Sequence, residues 1–138
     1  MPKKILVVED DNMNAKFFKL TLTRRVNFEV IITEDPEEVV ALSRGKNIDL
    51  ILMDVSLSNS FYRGAEVDGL MITRILKVNP KTLHIPVILV TAHAMQGDKE
   101  TFLKETLADD YISKPIVNPD DLINKINNLL DNKNNILL

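Results

Sequence analysis

The chain has 138 residues, with 20 acidic against 17 basic side chains and a formal net charge of -3, so it carries no general attraction for nucleic acid or anionic lipid. It holds no cysteine, which excludes a disulfide framework and thiolate chemistry. Its length fits one domain with a real core, and a composition 45% hydrophobic and 27% charged is that of an ordinary soluble globular protein.

Residues 5–8 (Ile-Leu-Val-Val) form an unbroken apolar run that ends in Glu9, Asp10 and Asp11. The run is too short for a signal peptide, and no stretch of the chain is long enough to span a membrane, so a cytoplasmic protein is the expectation. A short run without polar alternation suits a strand covered on both faces, here with three acids at its exit. Asn12 and Asn14 are able to cap a helix, and Ala15, Phe18, Leu22 and Val26 then recur at helical spacing. Arg24 and Arg25 close that helix favourably for its dipole. Residues 28–33 are rich in β-branched side chains and read as a second strand. Asp35, Pro36, Glu37 and Glu38 form a strong helix start, and Gly45 is expected to end that helix.

Residues 49–54 (Asp-Leu-Ile-Leu-Met-Asp) are the centre of the pattern. Four apolar residues lie between two aspartates, and Asp54 stands where the buried strand surfaces. The segment 56–68 is unusually long for a connection and holds Ser, Asn, Arg and Gly with two aromatics, Phe61 and Tyr62; it reads as a loop. Met71, Ile75 and Val78 mark a third helical face, stopped by Asn79 and Pro80. Residues 86–90 are another buried strand, with Pro86 allowed at its start. It ends in Thr91 and Ala92. A fourth helix is expected over 95–107, loosely held because its first two turns carry almost no apolar stripe. Residues 110–113 make a short last strand ending in Lys114 and Pro115. Asn118, Pro119, Asp120 and Asp121 repeat the helix-start chemistry before a face of Leu122, Ile126, Leu129 and Leu130. Residues 131–138 read as a polar C-terminal tail.

Five strands alternating with five helices imply a five-stranded parallel sheet with helices on both faces. Right-handed crossovers leave few topologies, and the flavodoxin-like order 2-1-3-4-5 is expected. Ligands of such sheets gather at the carboxyl ends of the strands. That edge receives Glu9, Asp10 and Asp11 from strand one, Asp54 from strand three, Thr91 from strand four and Lys114 from strand five.

Carboxylates crowded there repel by roughly 4 kcal/mol per pair at 4 Å and an effective dielectric of 20. Either a pKa rises or a cation binds. Oxygen donors without His or Cys favour Mg²⁺ over zinc. Carboxylate, divalent ion, hydroxyl and ammonium together suit a phosphoryl group, which Asp54 could accept by attack on phosphorus.

Val7-Val8-Glu9-Asp10-Asp11, Leu52-Met53-Asp54, Val90-Thr91-Ala92 and Ser113-Lys114-Pro115 resemble the receiver domain of two-component response regulators, over roughly residues 3–130. Each motif alone is weak; four in this order and spacing are specific. The resemblance implies a receiver domain over residues 1–130 in which Asp54 accepts a phosphoryl group from a sensor histidine kinase or histidine phosphotransfer protein. It implies that Asp10, Asp54 and the backbone carbonyl of Ser56 bind Mg²⁺, with Glu9 acting through water. It implies that Thr91 shifts to the phosphoryl group and Tyr111 changes rotamer with it, while Lys114 pairs with the phosphate through a cis bond to Pro115. The fourth helix, last strand and last helix would then dock a downstream protein target. Such a chain catalyses its own phosphorylation and dephosphorylation without being an enzyme on other substrates. No direct nucleic-acid binding, membrane insertion or output domain after residue 130 is expected, as in single-domain regulators of chemotaxis and cell-cycle phosphorelays.

Two departures stand out. The loop after Asp54 is longer than the family's usual pattern, and Ser58 stands where the family normally has proline. Phe61, Tyr62 and Arg63 would cover the site, touch a partner, or form a solvated insertion. His84 reads as a surface loop residue, and His93 is placed by its position to face the site. Three other functions are weaker. An aspartate-nucleophile phosphatase of the haloacid dehalogenase group needs a second Asp where Ser56 stands. A flavin or dinucleotide protein would need a glycine-rich loop after the first strand. A receiver-like binding module that is never phosphorylated would have no need of Asp10, Asp54, Thr91 and Lys114 together.

Overall fold

The computed structural model describes residues 2–45, 47–92 and 97–136. Its elements run β1 (Lys4–Val8), α1 (Asn12–Arg24), β2 (Glu29–Thr33), α2 (Pro36–Gly45), β3 (Leu50–Asp54), β4 (Phe61–Tyr62), β5 (Ala65–Glu66), α3 (Gly69–Val78), β6 (Val87–Thr91), α4 (Asp98–Thr106), β7 (Asp110–Ser113) and α5 (Pro119–Ile136). The main sheet is five-stranded and parallel, in the order β2-β1-β3-β6-β7. Counting only these five strands, that is the expected flavodoxin-like order. Residues 131–136, read from their polarity as a tail, continue α5 as helix.

The unbroken apolar runs have a simple cause. Successive side chains of a strand point to opposite faces, and here both faces are covered. Ile5, Val7, Leu50, Leu52, Ile88 and Val90 face one core layer, closed by Phe18 and Leu22 of α1 and Leu122, Ile126 and Leu130 of α5. Leu6, Val8, Ile51, Met53, Val87 and Leu89 face the other, closed by Val39 and Val40 of α2 and Ile72 and Leu76 of α3. Burying each such side chain contributes about 1.5–3 kcal/mol, and these strands have scarcely any exposed surface.

Three local expectations are corrected. Asp11, rather than Asn12 or Asn14, caps α1: its side chain accepts from the Asn14 N–H at 2.9 Å. Met71, Ile75 and Val78 do not form the buried face of α3; Met71 and Val78 are exposed, and Gly69, Ile72, Thr73 and Leu76 face inward. The α3 sequence is apolar nearly all round, so periodicity alone leaves its rotation open. The N-cap and a backbone contact at Gly69 settle it. The third correction is inside segment 56–68, which contains an antiparallel hairpin pairing Phe61 with Glu66 and Tyr62 with Ala65. Arg63 (φ 51°) and Gly64 (φ 82°) both take positive φ, as the tight two-residue hairpin turn with left-handed central residues requires. The start of the expected fourth helix, residues 95 and 96, lies outside the described residues.

Candidate functional site

Register brings the acids together. Val8 pairs with Met53, so Glu9 and Asp54 leave adjacent strands at the same level. Asp54 pairs with Val90, and Thr91 with Ser113, which sets Thr91 and Lys114 along the same edge. The backbone closes it further: the Lys114 N–H donates to the Thr91 carbonyl at 2.7 Å. The Lys114–Pro115 peptide bond is cis.

Carboxylate oxygens of Glu9, Asp10 and Asp54 lie within 4.8 Å of one another. Glu9 and Asp54 are buried, and Asp10 is half-buried. Lys114 Nζ donates to Glu9 Oε1 at 2.9 Å and lies 3.4 Å from Asp54 Oδ1. One ammonium therefore serves two buried carboxylates. Burial is the chief reason the Glu9 carboxyl is raised from 4.5 to about 7; the hydrogen bond and negative charge of Asp54 add to it, while Lys114 opposes it. Lys114 itself is raised: burial works against its charge, but Glu9 and Asp54 together outweigh that cost. Three clustered carboxylates with no thiolate or imidazole among them are a donor set for a hard, oxygen-seeking cation such as Mg²⁺.

The remaining expected site residues fall around this cluster. The Ser56 N–H donates to Asp54 Oδ1 at 3.1 Å, orienting the carboxylate from its own loop. Thr91 is completely buried at the end of β6. Tyr111 is buried too, with its ring 6.2 Å from that of Phe102. Burial raises the Tyr111 phenol, the Asp98 charge raises it further, and hydrogen-bonding reach to Ser113 and Thr91 acts the other way. Tyr111 thus connects Thr91 to the start of α4. His84 is exposed on a loop, as expected, and His93 lies outside the described residues.

Two participants escaped sequence reasoning. Gly69 opens α3 directly against Asp54: a Cβ there would sit 1.9 Å from the Asp54 carbonyl oxygen. Asp68 caps the same helix, accepting from the Met71 N–H at 2.9 Å. Only an apolar run interrupted by glycine just after a capping Asp hinted at this, and the approach it permits is a tertiary fact. Ser58 is the second. Its N–H and hydroxyl both donate to Asp10 Oδ2, at 3.2 and 3.1 Å. The aromatic part of the insertion packs elsewhere. Tyr62 joins the α2–α3 side of the core, and the Arg63 N–H donates to Glu37 of α2 at 2.6 Å. The Arg63 guanidinium lies 5.3 Å from the Tyr62 ring, and Phe61 remains about half exposed.

Comparison with known proteins agrees with this geometry. Residues 5–127 match the response regulator receiver domain family. The chain is 42% identical over 119 residues to the polar-differentiation response regulator DivK of Brucella anthropi, covering 86% of this chain and 89% of that protein. It is also 42% identical over 132 residues to hybrid signal transduction histidine kinase I of Dictyostelium discoideum, covering 92% of this chain but 7% of that protein. A response regulator receiver domain protein from Methanospirillum hungatei superposes with a TM-score of 0.78 at 29% identity, over 98% of both chains. The receiver domain of a sensor histidine kinase from Pseudomonas aeruginosa, with magnesium coordinated in its active-site cleft, gives 0.79 at 27% identity, over 95% of this chain and 99% of that one. Among the described residues no helix is long and apolar enough to cross a membrane. With its sheet order, its acid cluster and a family match over most of its length, the chain belongs to the response regulator receiver domains of two-component systems.

Proposed function

We propose that the protein is a phosphoacceptor switch: Asp54 takes a phosphoryl group from a phosphohistidine, and the change is read by a protein partner at the α4–β7–α5 surface. The observation that carries this is the meeting of Asp54 with Glu9, Asp10 and Lys114 at one sheet edge. An Asp54 carboxylate oxygen attacks phosphorus, the bond from phosphorus to imidazole nitrogen breaks, and the departing nitrogen keeps the electron pair and takes a proton. Asp10, Asp54 and the Ser56 carbonyl would hold Mg²⁺, with Glu9 acting through water. The bound ion would offset charge building up on the phosphoryl oxygens. Lys114, already shared between Glu9 and Asp54, would move its ammonium to those oxygens. The Thr91 hydroxyl would donate to them. Because Tyr111 is within reach of Thr91, and packs on Phe102 of α4, a shift of Thr91 changes what Tyr111 and α4 present outside.

The donor would be a sensor histidine kinase or histidine phosphotransfer protein in the cytoplasm. The relatives, named as response regulators and as a hybrid histidine kinase, fit such a phosphorelay. Intact mass after exposure to acetyl phosphate and Mg²⁺ tests the chemistry. Wild type should gain one phosphoryl mass, and Asp54→Asn should gain none. Labelling of the Asn variant to the same extent would remove Asp54 as the acceptor.

A further inference from the structure

We infer that Ser58 is a positioning residue for the Asp10 carboxylate, and that it sets the affinity of this site for Mg²⁺. The inference rests on the proposed role of Asp10 as a metal ligand. Two donors from one residue converge on a single oxygen: the Ser58 N–H and hydroxyl both reach Asp10 Oδ2. A carboxylate has two oxygens and about four lone-pair sites, so occupation of Oδ2 leaves acceptor capacity for a cation. Asp10 lies just beyond β1, and among the described residues its carboxylate takes its hydrogen bonds from Ser58, while Lys114 is engaged with Glu9 and Asp54. Ser58 supplies the orientation that neighbours give the other two acids.

Ser58 is itself held. Leu57 before it and Ser60 two residues after it are buried. The Ser60 hydroxyl donates to the Ser58 carbonyl at 3.2 Å, and the Val67 N–H donates to the Ser60 carbonyl at 2.9 Å. The hairpin beyond is pinned to α2 through Arg63 and Glu37. The long insertion therefore braces a short arm that fixes one acid of the site. Proline, which the family usually carries here, has neither an N–H nor a hydroxyl and could supply neither bond. Partners that orient a metal ligand typically change affinity by about 10- to 100-fold when lost.

The test is calorimetric titration of Mg²⁺ into the full chain and its variants, with melting in EDTA as the control for folding. Ser58→Thr keeps both donors and should bind within about twofold of wild type. Ser58→Ala keeps only the N–H and should weaken binding about tenfold, and Ser58→Pro loses both and should weaken it further, within about 100-fold. Melting in EDTA should stay close to wild type for Ser58→Ala, because the side chain is exposed. If Ser58→Ala binds Mg²⁺ as wild type does, or more tightly, the role of Ser58 is overturned while the metal site stands. If wild type takes up no Mg²⁺, the metal reading falls and the inference falls with it.

Discussion

Two segments leave adjacent strands at the acid edge, and they are built in opposite ways. The one after β3 is tied down at almost every step. Ser56 bonds to Asp54, Ser58 to Asp10, Ser60 to Ser58, Val67 to Ser60 and Gly69 to Val55, before α3 starts on a capped end and buries Ile72 and Leu76. The one after β6 leads to α4, which starts at Gly97 without a side-chain cap and buries only Thr106. Phe102 and Leu103 rest half-buried on the core. A switch needs both kinds of neighbour. In the switch proposed above, the first would hold the Asp54 carboxylate still, and the second would have little burial to give up as Thr91 and Tyr111 shift.

The largest expected effect comes from breaking the rigid side. Gly69→Ala places a methyl group 1.9 Å from the Asp54 carbonyl oxygen, and the atoms in contact are backbone. Overpacking of this kind costs about 1–3 kcal/mol. Urea unfolding should show a lower midpoint at an unchanged slope, and acetyl phosphate labelling should fall because Asp54 moves. A variant as stable and as readily labelled as wild type would mean that the β3–α3 junction is softer than described.

Next is the charge crowding that the rigid side maintains. In EDTA the Glu9 carboxyl stands at about 7 in the folded chain against 4.5 when unfolded, chiefly because it is buried beside Asp54. Below 4.5 both states hold the proton and the group is neutral towards folding. As pH rises through 4.5 the unfolded chain releases it first, so stability falls until about 7 and then levels. Melting in EDTA from pH 5 to 8 should therefore decline, and Mg²⁺ should flatten the decline. A melting temperature that climbs over this range in EDTA would contradict the assignment.

The α4 side should respond locally. Thr106 donates to the Phe102 carbonyl at 2.6 Å and accepts from the Ala108 N–H at 3.1 Å. Thr106→Val removes both bonds in a buried place, at a cost of about 1 kcal/mol. Hydrogen exchange should quicken in α4 and leave β3 unchanged. Smallest of all, Glu105→Ala loses an exposed 3.7 Å pairing with Arg74 between α4 and α3. Its thermal unfolding should differ from wild type by no more than about 0.5 kcal/mol.

The same contrast governs what was legible in the sequence. The runs at Ile5, Leu50 and Val87 announced buried strands because both faces of the sheet are covered, and strand order then gathered Glu9, Asp10, Asp54, Thr91 and Lys114. Asp35 with Pro36, and Asn118 with Pro119, marked helix starts through local chemistry that needs no tertiary partner. The β3–α3 segment was illegible because its structure is made of long-range contacts. Two-residue strands at Phe61 and Ala65 are too short to show alternation. The rotation of α3 depends on Gly69 meeting Asp54, and the role of Ser58 depends on Asp10, far away in the chain.

Hydrogen exchange of the wild-type protein with and without the phosphoryl group, in Mg²⁺ and with Asp54→Asn treated identically, tests whether phosphorylation of Asp54 is read out through α4 and β7. Protection should change in α4 and β7, stay the same from Ser56 to Gly69, and show no response in the Asn variant. Unchanged protection in α4 and β7 of a fully phosphorylated sample, or a response confined to residues 56–69, would contradict that readout.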